Sequence, residues 1–520
     1  MSKLLKAGIL CRNGLMSTLL ATGGCFAVLP GISQGAGLSL VDFNSISALG
    51  TAGAGRGVNR ADASIISSNP AGMSFFSQPQ TNIGFIGAFA GGDAKGHYST
   101  ITEVKSFPTS DPYFGWKGDY QSCKTPWGDS ALCYGESGKS DNFLHPAAIP
   151  SIYYAQPLQE NLWAGFAVYG AFGGETHYPI DSIFRYQALD SSIKVINLQP
   201  TVSWKVNDEL SLGAGIWTSF GKIEMSRMLN PWASAVTDAV ASINGDGFGL
   251  GTNLGLIWNP VEPLTVGLSY HSPTKIKFKG DLKATGVAGL TTVLNQFVTE
   301  SDDYPVASAS AAWISDHKPG TLTEHTRLSL TFPEHIDLSL AWDVDPQWSL
   351  LASAIWTRWS RFEKFQIKSE GGRASDIVSA SNGAPGGHIV AWVPQDWSDT
   401  WTMSFGTLWN YSDRLTLRAG YALDNSPTSN TTRSARIPDN DRQWLTFGAG
   451  YRVNEQYSLD LAYGYMMMKP FRIHDANHKV DGSIQGTVEE SAPFEDQGHL
   501  TARYKKMHAH MLAAQLTVRF

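Results

Sequence analysis

The segment RLTLRAGYAL (414–423) alternates without a break. Leu415, Leu417, Ala419, Tyr421 and Leu423 share one face, and Arg414, Thr416, Arg418, Gly420 and Ala422 take the other. QYSLDLAYGY (456–465) and HIDLSLAW (335–342) repeat the scheme. Successive side chains of a strand point to opposite sides, so a period of two specifies extended chain with one apolar face and one polar or small face. On this period the sequence predicts fourteen strands, near 80–90, 147–157, 161–172, 193–206, 209–227, 247–258, 263–280, 324–344, 347–368, 399–411, 413–423, 442–453, 456–472 and 498–520. Pro333 is placed to split one of them.

The connections fall into two classes. NDEL (207–210), NPVEP (259–263), DVDPQ (343–347), YSDR (411–414) and VNEQ (453–456) are short turns rich in Asn, Asp and Pro, whereas 91–145, 228–246, 281–320, 369–398 and 473–496 are long. Short turns alternating with long loops describe an up-and-down barrel with unlike rims, as in outer-membrane barrels. The chain ends MLAAQLTVRF, with Leu512, Ala514, Leu516, Val518 and Phe520 on one face. A soluble propeller or sandwich would also show alternation, with its apolar face turned into a core.

Composition suits a secreted β-rich protein or an outer-membrane barrel; the unlike rims, the terminal Phe520 and an exported leader favour the membrane. The chain has 17 Trp, 18 Tyr, 24 Phe and 52 Gly, with only 16% charged residues. Residues 1–35 combine Lys3, Lys6 and Arg12, an apolar stretch from Leu15 to Leu29, and small residues before Ala36, the pattern of an exported leader. Its removal takes the formal charge from −7 to −10, which argues against nucleic acid as a partner. Cys123 and Cys133, ten apart in an exported chain, suggest one loop disulfide. No Cys/His cluster suggests a metal, and no cofactor is implied. No later run of 18 apolar residues predicts a spanning helix. The Asn69-Pro70-Ala71 tripeptide within SSNPAGM (67–73) is therefore not that of a helical water channel.

Two long loops have helical patterning. In 229–243, Asn230 can cap a helix starting at Pro231, with Trp232, Val236, Val240 and Ile243 as a stripe; in 289–298, Leu290, Val293, Leu294 and Phe297 form another. They predict two small helices over the barrel mouth, either packed together or leaving an apolar groove of Trp232, Val236, Val240, Leu290, Leu294 and Phe297 open to the outside.

Several spaced stretches resemble the FadL family of outer-membrane long-chain fatty-acid transporters. They are AGLSLVDFNSISALGTAGAG (36–55), SSNPAGM (67–73), YHSPTKIKFKG (270–280), VDPQWSLLASAIWTRWSRF (344–362) and LDNSPTSNTTRSARIPDNDRQWLTFGAGY (423–451). The resemblance implies an all-β fold, a 14-stranded antiparallel transmembrane β-barrel spanning 79–520 and plugged by an N-terminal segment, 36–78. It implies a monomer in the bacterial outer membrane, passive uptake of fatty acids or similar hydrophobic small molecules, and lateral exit through the wall.

On that basis Leu38, Leu40 and Phe43 either line a pocket beside the plug or pack it, and Asn69, Pro70 and Ala71 either tie the plug to the wall or form part of a gate. Arg227 matches a basic residue that meets the ligand carboxylate, or is a rim arginine in water. Gly170, Gly173 and Gly174 cluster where the resemblance puts a strand kink and the lateral opening. Lys275, Lys277 and Lys279, and Arg433, Arg436 and Arg442, are expected to meet lipopolysaccharide phosphates or acidic loops. The same fold could import aromatic or other hydrocarbons. A barrel enzyme of lipase type would need converging Ser and His, but the histidines are scattered and no GxSxG elbow occurs. A closed structural barrel is the third alternative.

Overall fold

The computed structural model describes residues 38–39, 44–102, 119–124, 130–141, 143–229, 239–285, 321–371, 389–430, 432–476 and 499–520. The expected leader, Leu40 and Phe43 lie outside them. Fourteen antiparallel strands form one closed wall. The first five are β1 (Gln80–Thr102), β2 (Ser130–Asp141 and Ala147–Gln159), β3 (Leu162–His177), β4 (Asp190–Lys205) and β5 (Leu210–Leu229). Next come β6 (Ala239–Val261), β7 (Leu264–His271 and Thr274–Thr285), β8 (Thr321–Phe332 and His335–Asp343), β9 (Trp348–Thr357 and Lys364–Ser369) and β10 (Ile389–Pro394 and Thr400–Ser412). The circuit ends with β11 (Leu415–Asp424), β12 (Arg442–Arg452), β13 (Tyr457–Met468 and Phe471–Ala476) and β14 (His499–Arg519). Pairing of β1 with β14, from Gln80↔Arg519 to Ser99↔His499, closes the ring. As expected, β8 breaks at Pro333.

The alternation decides which face meets what. Tyr421 and Leu423 are exposed while Gly420 and Ala422 are buried; Leu445 and Phe447 are exposed while Trp444 and Thr446 are buried. The apolar face is the outer one, with Phe248 68% and Leu250 66% exposed. A soluble sandwich would bury that face, so a belt of this kind belongs in lipid. Trp204, Trp258, Trp342, Trp348, Tyr411, Tyr451 and Tyr457 lie exposed beside the short turns, as an aromatic girdle at one interface.

The strands are longer than the alternation suggested. β1 and β6 each have 23 residues, about twice the ~9–11 that cross a bilayer. Their outer halves therefore stand above the membrane, and parts of the expected long loops are strand. The helix expected over 229–243 is corrected on this account. Ala239–Ile243 extend β6, with Val240 opposite Met228 on one side and Thr285 on the other. Hydrogen bonding to two flanking strands outweighs the helical spacing of a short stretch containing Val240 and Ile243. Val240 is partly buried against an outer apolar cluster, and Trp232, Val236, Leu290, Leu294 and Phe297 lie outside the described residues. In the hairpin Asp119–Lys124 with β2, Cys123 is opposite Ala131 and Cys133 opposite Gln121. The cysteines are diagonal neighbours, and their side chains lie outside the described residues.

Residues 44–77 run against the inner face of the wall. They form a four-residue helix, α1 (Ile46–Leu49), and 3-10 turns at Arg56–Val58, Ala63–Ser67 and Pro70–Phe75. Inward glycines make the fit possible: a Cβ on Gly420 would come 2.0 Å from Thr51, one on Gly213 2.3 Å from the Ala71 nitrogen, and one on Gly255 2.0 Å from Asn69 Oδ1. The small face seen in the alternation is thus a docking face. Polar bonds complete it. Arg56 Nε donates to Asp337 Oδ2 at 2.5 Å, the Gly55 and Gly57 N–H groups donate to Ser353 and Ser339 at 3.0 Å, and Gln199 Nε2 donates to the Ile66 carbonyl at 3.0 Å.

Overpacking at this contact is expected to cost about 1–3 kcal/mol. Gly213→Leu and Gly255→Leu should lower the melting temperature of the folded barrel and make the Asn69–Ala71 turn accessible to protease, whereas outward-facing Gly87→Ala should do neither. Limited proteolysis with thermal melting checks this.

Candidate functional site

The wall is interrupted at one place that also meets the N-terminal segment. The β2–β3 ladder runs from Gln159↔Leu162 to Ile152↔Val168 and stops. β3 continues to His177 paired with β4 alone, with a register shift between Gly170 and Phe172. Tyr169–Gly174 are all buried, so the alternation is lost and this stretch turns inward. Its free edge is partly covered by Leu38 and Ser39: the Gly173 N–H donates to the Leu38 carbonyl at 2.9 Å, and Ser39 bridges Phe172. Farther out, the His177 N–H donates to the Phe143 carbonyl at 2.9 Å. Gly170, at the shift, and Gly173 and Gly174, at the contact with Leu38, all lie in this stretch.

Beside Leu38 is a small cavity lined by Gly174, Glu175, Ser191, Ile193, Met225, Arg436 and Ile437. Arg436 is half-buried, with Nη1 donating to Ser191 Oγ at 3.2 Å and the Ser226 carbonyl at 3.4 Å. Arg227, on the extramembrane end of β5, is half-buried and near enough for its charge to bear on Arg436. Burial pushes Arg436 down to about 10, with Arg227 acting the same way and Asp475 and Asp190 against it; burial lowers Arg227 also. Asp475 Oδ2 accepts the Ala435 N–H at 2.7 Å. Burial pushes this carboxyl up to about 6, against the pull of that N–H and of both arginines. The arginines keep their charge at neutral pH, while Asp475 is poised to lose its own on mild acidification.

The rest of the interior on this side is apolar. One cluster joins Leu282 and Phe278 of β7, Leu330 and Phe332 of β8, Met225, Phe172 and Leu38, and reaches Ile66 and Met73 of the N-terminal segment. At its centre Phe172 stacks on Phe332 at 4.5 Å and meets Trp359 edge-on at 6.3 Å; Trp359 and Phe362 in turn pack on Trp397 at 5.0 and 4.7 Å. A water-filled porin lumen is polar. Here an apolar cluster adjoins the cavity of Arg436, close to Arg227 and to the end of the β2–β3 ladder.

The family model for outer membrane protein transport protein (OMPP1/FadL/TodX) matches residues 26–520. The chain belongs to this family. It is an outer-membrane transport protein. Among curated members, it is 25% identical over 451 residues to a long-chain fatty acid transport protein of Escherichia coli O6:H1, covering 83% of this chain and 86% of that one. It is 25% identical over 522 residues to outer membrane protein P1 of Haemophilus influenzae, covering 94% and 96%. In fold it is similar to a Pseudomonas aeruginosa FadL homologue, with TM-score 0.69 and 23% identity over 92% of this chain and 98% of that one. It is also similar to the P. putida toluene transporter TodX, with TM-score 0.55 and 16% identity over 88% and 94%.

Within this family member the sequence-derived residues divide between the cavity, the inner wall and the outer surface. Leu38 and Gly174 line one cavity, with Arg227 close by. Asn69 is buried away from it, on the inner wall; its Nδ2 donates to the Gly57 and Leu256 carbonyls at 2.9 and 3.0 Å, and its Oδ1 caps the turn by accepting the Ala71 N–H at 3.1 Å. Pro70 starts that turn, and the Ala71 carbonyl accepts Ser211 Oγ at 2.7 Å and Ser203 Oγ at 3.0 Å. Lys275, Lys277 and Lys279 are exposed on the outer face of β7. The three loop arginines separate: Arg442 is buried with Asp424 and Asp439 at 3.1 and 2.7 Å, Arg433 holds its own loop through the Asp439 carbonyl at 2.7 Å, and Arg436 turns into the cavity. Sequence reasoning grouped Arg436 with the surface cations and missed Phe332, Trp359, Phe362 and Trp397. The available signal was WTRWSRF (356–362), where the alternation loses phase at the 3-10 turn Trp359–Arg361.

Because Asp475 is protonated below about pH 6, acidification removes the negative charge that offsets the arginines. Binding of a permanently anionic amphiphile such as dodecyl sulfonate should tighten, on the order of 3- to 10-fold, from pH 7.5 to 5. Asp475→Asn should bind at both pH values as the wild type binds at pH 5. Titration by intrinsic fluorescence checks this.

Proposed function

We propose that this protein takes up long-chain fatty acids or similar hydrophobic anions by passive diffusion, acting as a monomer and without covalent chemistry. The ligand enters among the apolar outer ends of β6–β10 and passes the Phe172–Phe332 contact. It settles with its tail beside Leu38 and its carboxylate toward Arg436 and Arg227. It then leaves sideways where β3 parts from β2 above Val168. The N-terminal segment acts as a plug that closes the lumen to water, with Asn69–Ala71 as its tie to the wall.

One observation carries the proposal: the inward turn of β3, the arginine-lined cavity and the interrupted ladder coincide at Leu38. The physics agrees. An alkyl tail moving from an apolar path to the bilayer avoids about 0.8 kcal/mol of exposure per CH₂, and a carboxylate gains charge-assisted bonds from a guanidinium. Cations at the cavity favour an acid over a neutral hydrocarbon, the cargo named for TodX. The family's curated members include long-chain fatty acid transport proteins, in accord with that choice.

In a bacterium lacking its own importer, the wild-type chain should support oleate uptake. Gly170→Trp and Gly173→Trp should reduce it at least about tenfold, with barrel assembly intact by heat-modifiable gel mobility; unchanged uptake would exclude lateral exit here. Arg436→Gln with Arg227→Gln should weaken oleate binding by roughly 10- to 100-fold, the loss of about 1.5–3 kcal/mol for a charged hydrogen bond, and leave toluene uptake unaltered. The reverse pattern would establish a hydrocarbon cargo.

A further inference from the structure

Outside the lumen, the seam of the barrel carries a charge pattern that strand pairing alone disfavours. Arg472 of β13 lies directly opposite Arg503 of β14, Arg503 opposite Lys95 of β1, and Lys95 opposite Lys139 of β2. All four side chains are exposed on the outer face. Like charges placed directly opposite destabilise a sheet, so four in a row across adjacent strands need a reason. Lys139 has Asp141 at 3.0 Å; Arg472, Arg503 and Lys95 have no ion pair among the described residues. Other outer-face cation contacts differ: where Lys279 and Lys368 flank Arg327, Asp246 faces Lys279 and Glu370 pairs with Arg327, and where Lys194 lies opposite Lys222, Glu175 and Glu224 pair with them.

The row also has a height and a shape. Phe89 on β1 and Leu512 on β14 belong to the lipid-facing belt, and Lys95 lies six residues of strand beyond Phe89. At about 3.3 Å per residue and a tilt of about 45°, the row stands roughly 14 Å above that point, in the headgroup layer of the outer leaflet. Here Asn430, Pro470, Phe471, Arg472, His474 and Arg503 line a surface hollow. A concave, strongly cationic patch at headgroup height is complementary to phosphate on a sugar.

We infer that the Arg472–Arg503–Lys95–Lys139 row binds the phosphorylated saccharide headgroup of an outer-leaflet glycolipid. The site is separate from the transport path and does not rest on the cargo proposed above. The competing occupant is the chain's own acidic stretch around Glu489, Glu490, Glu495 and Asp496.

The test uses the full chain in detergent, with bisphosphorylated lipid A and its dephosphorylated form as probes, and thermal melting as readout. Wild type should gain roughly 3–6 °C from the bisphosphorylated lipid, little from the dephosphorylated one, and less at 0.5 M salt. The K95Q/R472Q/R503Q variant should melt no lower than wild type without lipid, because repulsion has been removed, and should gain nothing from lipid A. Equal gains in wild type and variant, or from both lipids, overturn the proposal. A variant that melts lower without lipid shows the row already neutralised by the chain's own acids, which also overturns it. Should the triple variant not assemble, Arg503→Gln alone must lose at least half of the gain.

Discussion

Every strand of this protein is constrained by one requirement: backbone hydrogen bonds inside a bilayer must be made within the chain. An unpaired N–H or carbonyl in lipid costs several kcal/mol, which is why β1 must find β14 along nearly its whole length. It also makes the end of the β2–β3 ladder at Val168 the most informative event in the wall. The edge freed there is not left to lipid. It turns inward, where the Leu38 carbonyl takes the Gly173 N–H and Ser39 bridges Phe172. The break is tolerable because the N-terminal segment supplies partners, so the shape of the wall and the position of Leu38 are energetically coupled. Separating them would break the Gly173–Leu38 hydrogen bond and the Ser39–Phe172 bridge.

The inner segment is held by contacts of an unusual kind for a protein interior. Its largest electrostatic contact, Arg56 with Asp337, is almost wholly buried, with side chains 2% and 0% exposed. Desolvation offsets much of the attraction in such a pair, so its value lies in fixing register more than in adding stability. Around it are serine hydroxyls and glycine N–H groups, each worth about 1 kcal/mol net. His271 and His335 stack at 4.1 Å beside the pair, and His271 Nε2 lies 3.1 Å from the Ser67 carbonyl. Many modest directional bonds specify one docked position, while a shift of a few residues at the segment's start breaks only a few of them.

The barrel was legible in the sequence because a two-residue period survives wherever one face meets lipid. At 414–423 the apolar and small faces read from the sequence are the outer and inner faces of β11. The period says nothing about what a small inner residue is for, and the reason for Gly420 is visible only when Thr51 lies against it. Helical spacing at 229–243 misled because the decisive partners of Ala239–Ile243, on β5 and β7, are remote in sequence. Arg436 looked like its neighbours Arg433 and Arg442 because a loop has no period to say which way a side chain turns. The aromatic cluster escaped for a related reason: the period of two lapses across the 3-10 turn Trp359–Arg361, where Trp359 and Phe362 are both buried, before odd-numbered residues face inward again at Phe365 and Ile367.

A filled lumen and a transport role are compatible once the path is traced along the wall instead of down the axis. A water pore must keep its interior polar and open. A path for an apolar solute must instead exclude water, and side chains that touch in its absence, such as Phe172 on Phe332 at 4.5 Å, do that better than an empty tube. Parting two aromatic rings exposes apolar surface only if nothing apolar replaces it, so an entering alkyl chain restores most of what it disrupts. A hydrated ion restores none of it. The barrier is therefore low for the greasy part of a solute and high for water. The polar end of an amphiphile needs a separate provision, and on the proposed path two arginines beside a carboxyl of raised pKa, near the end of the β2–β3 ladder, would supply it without lining the whole path with charge.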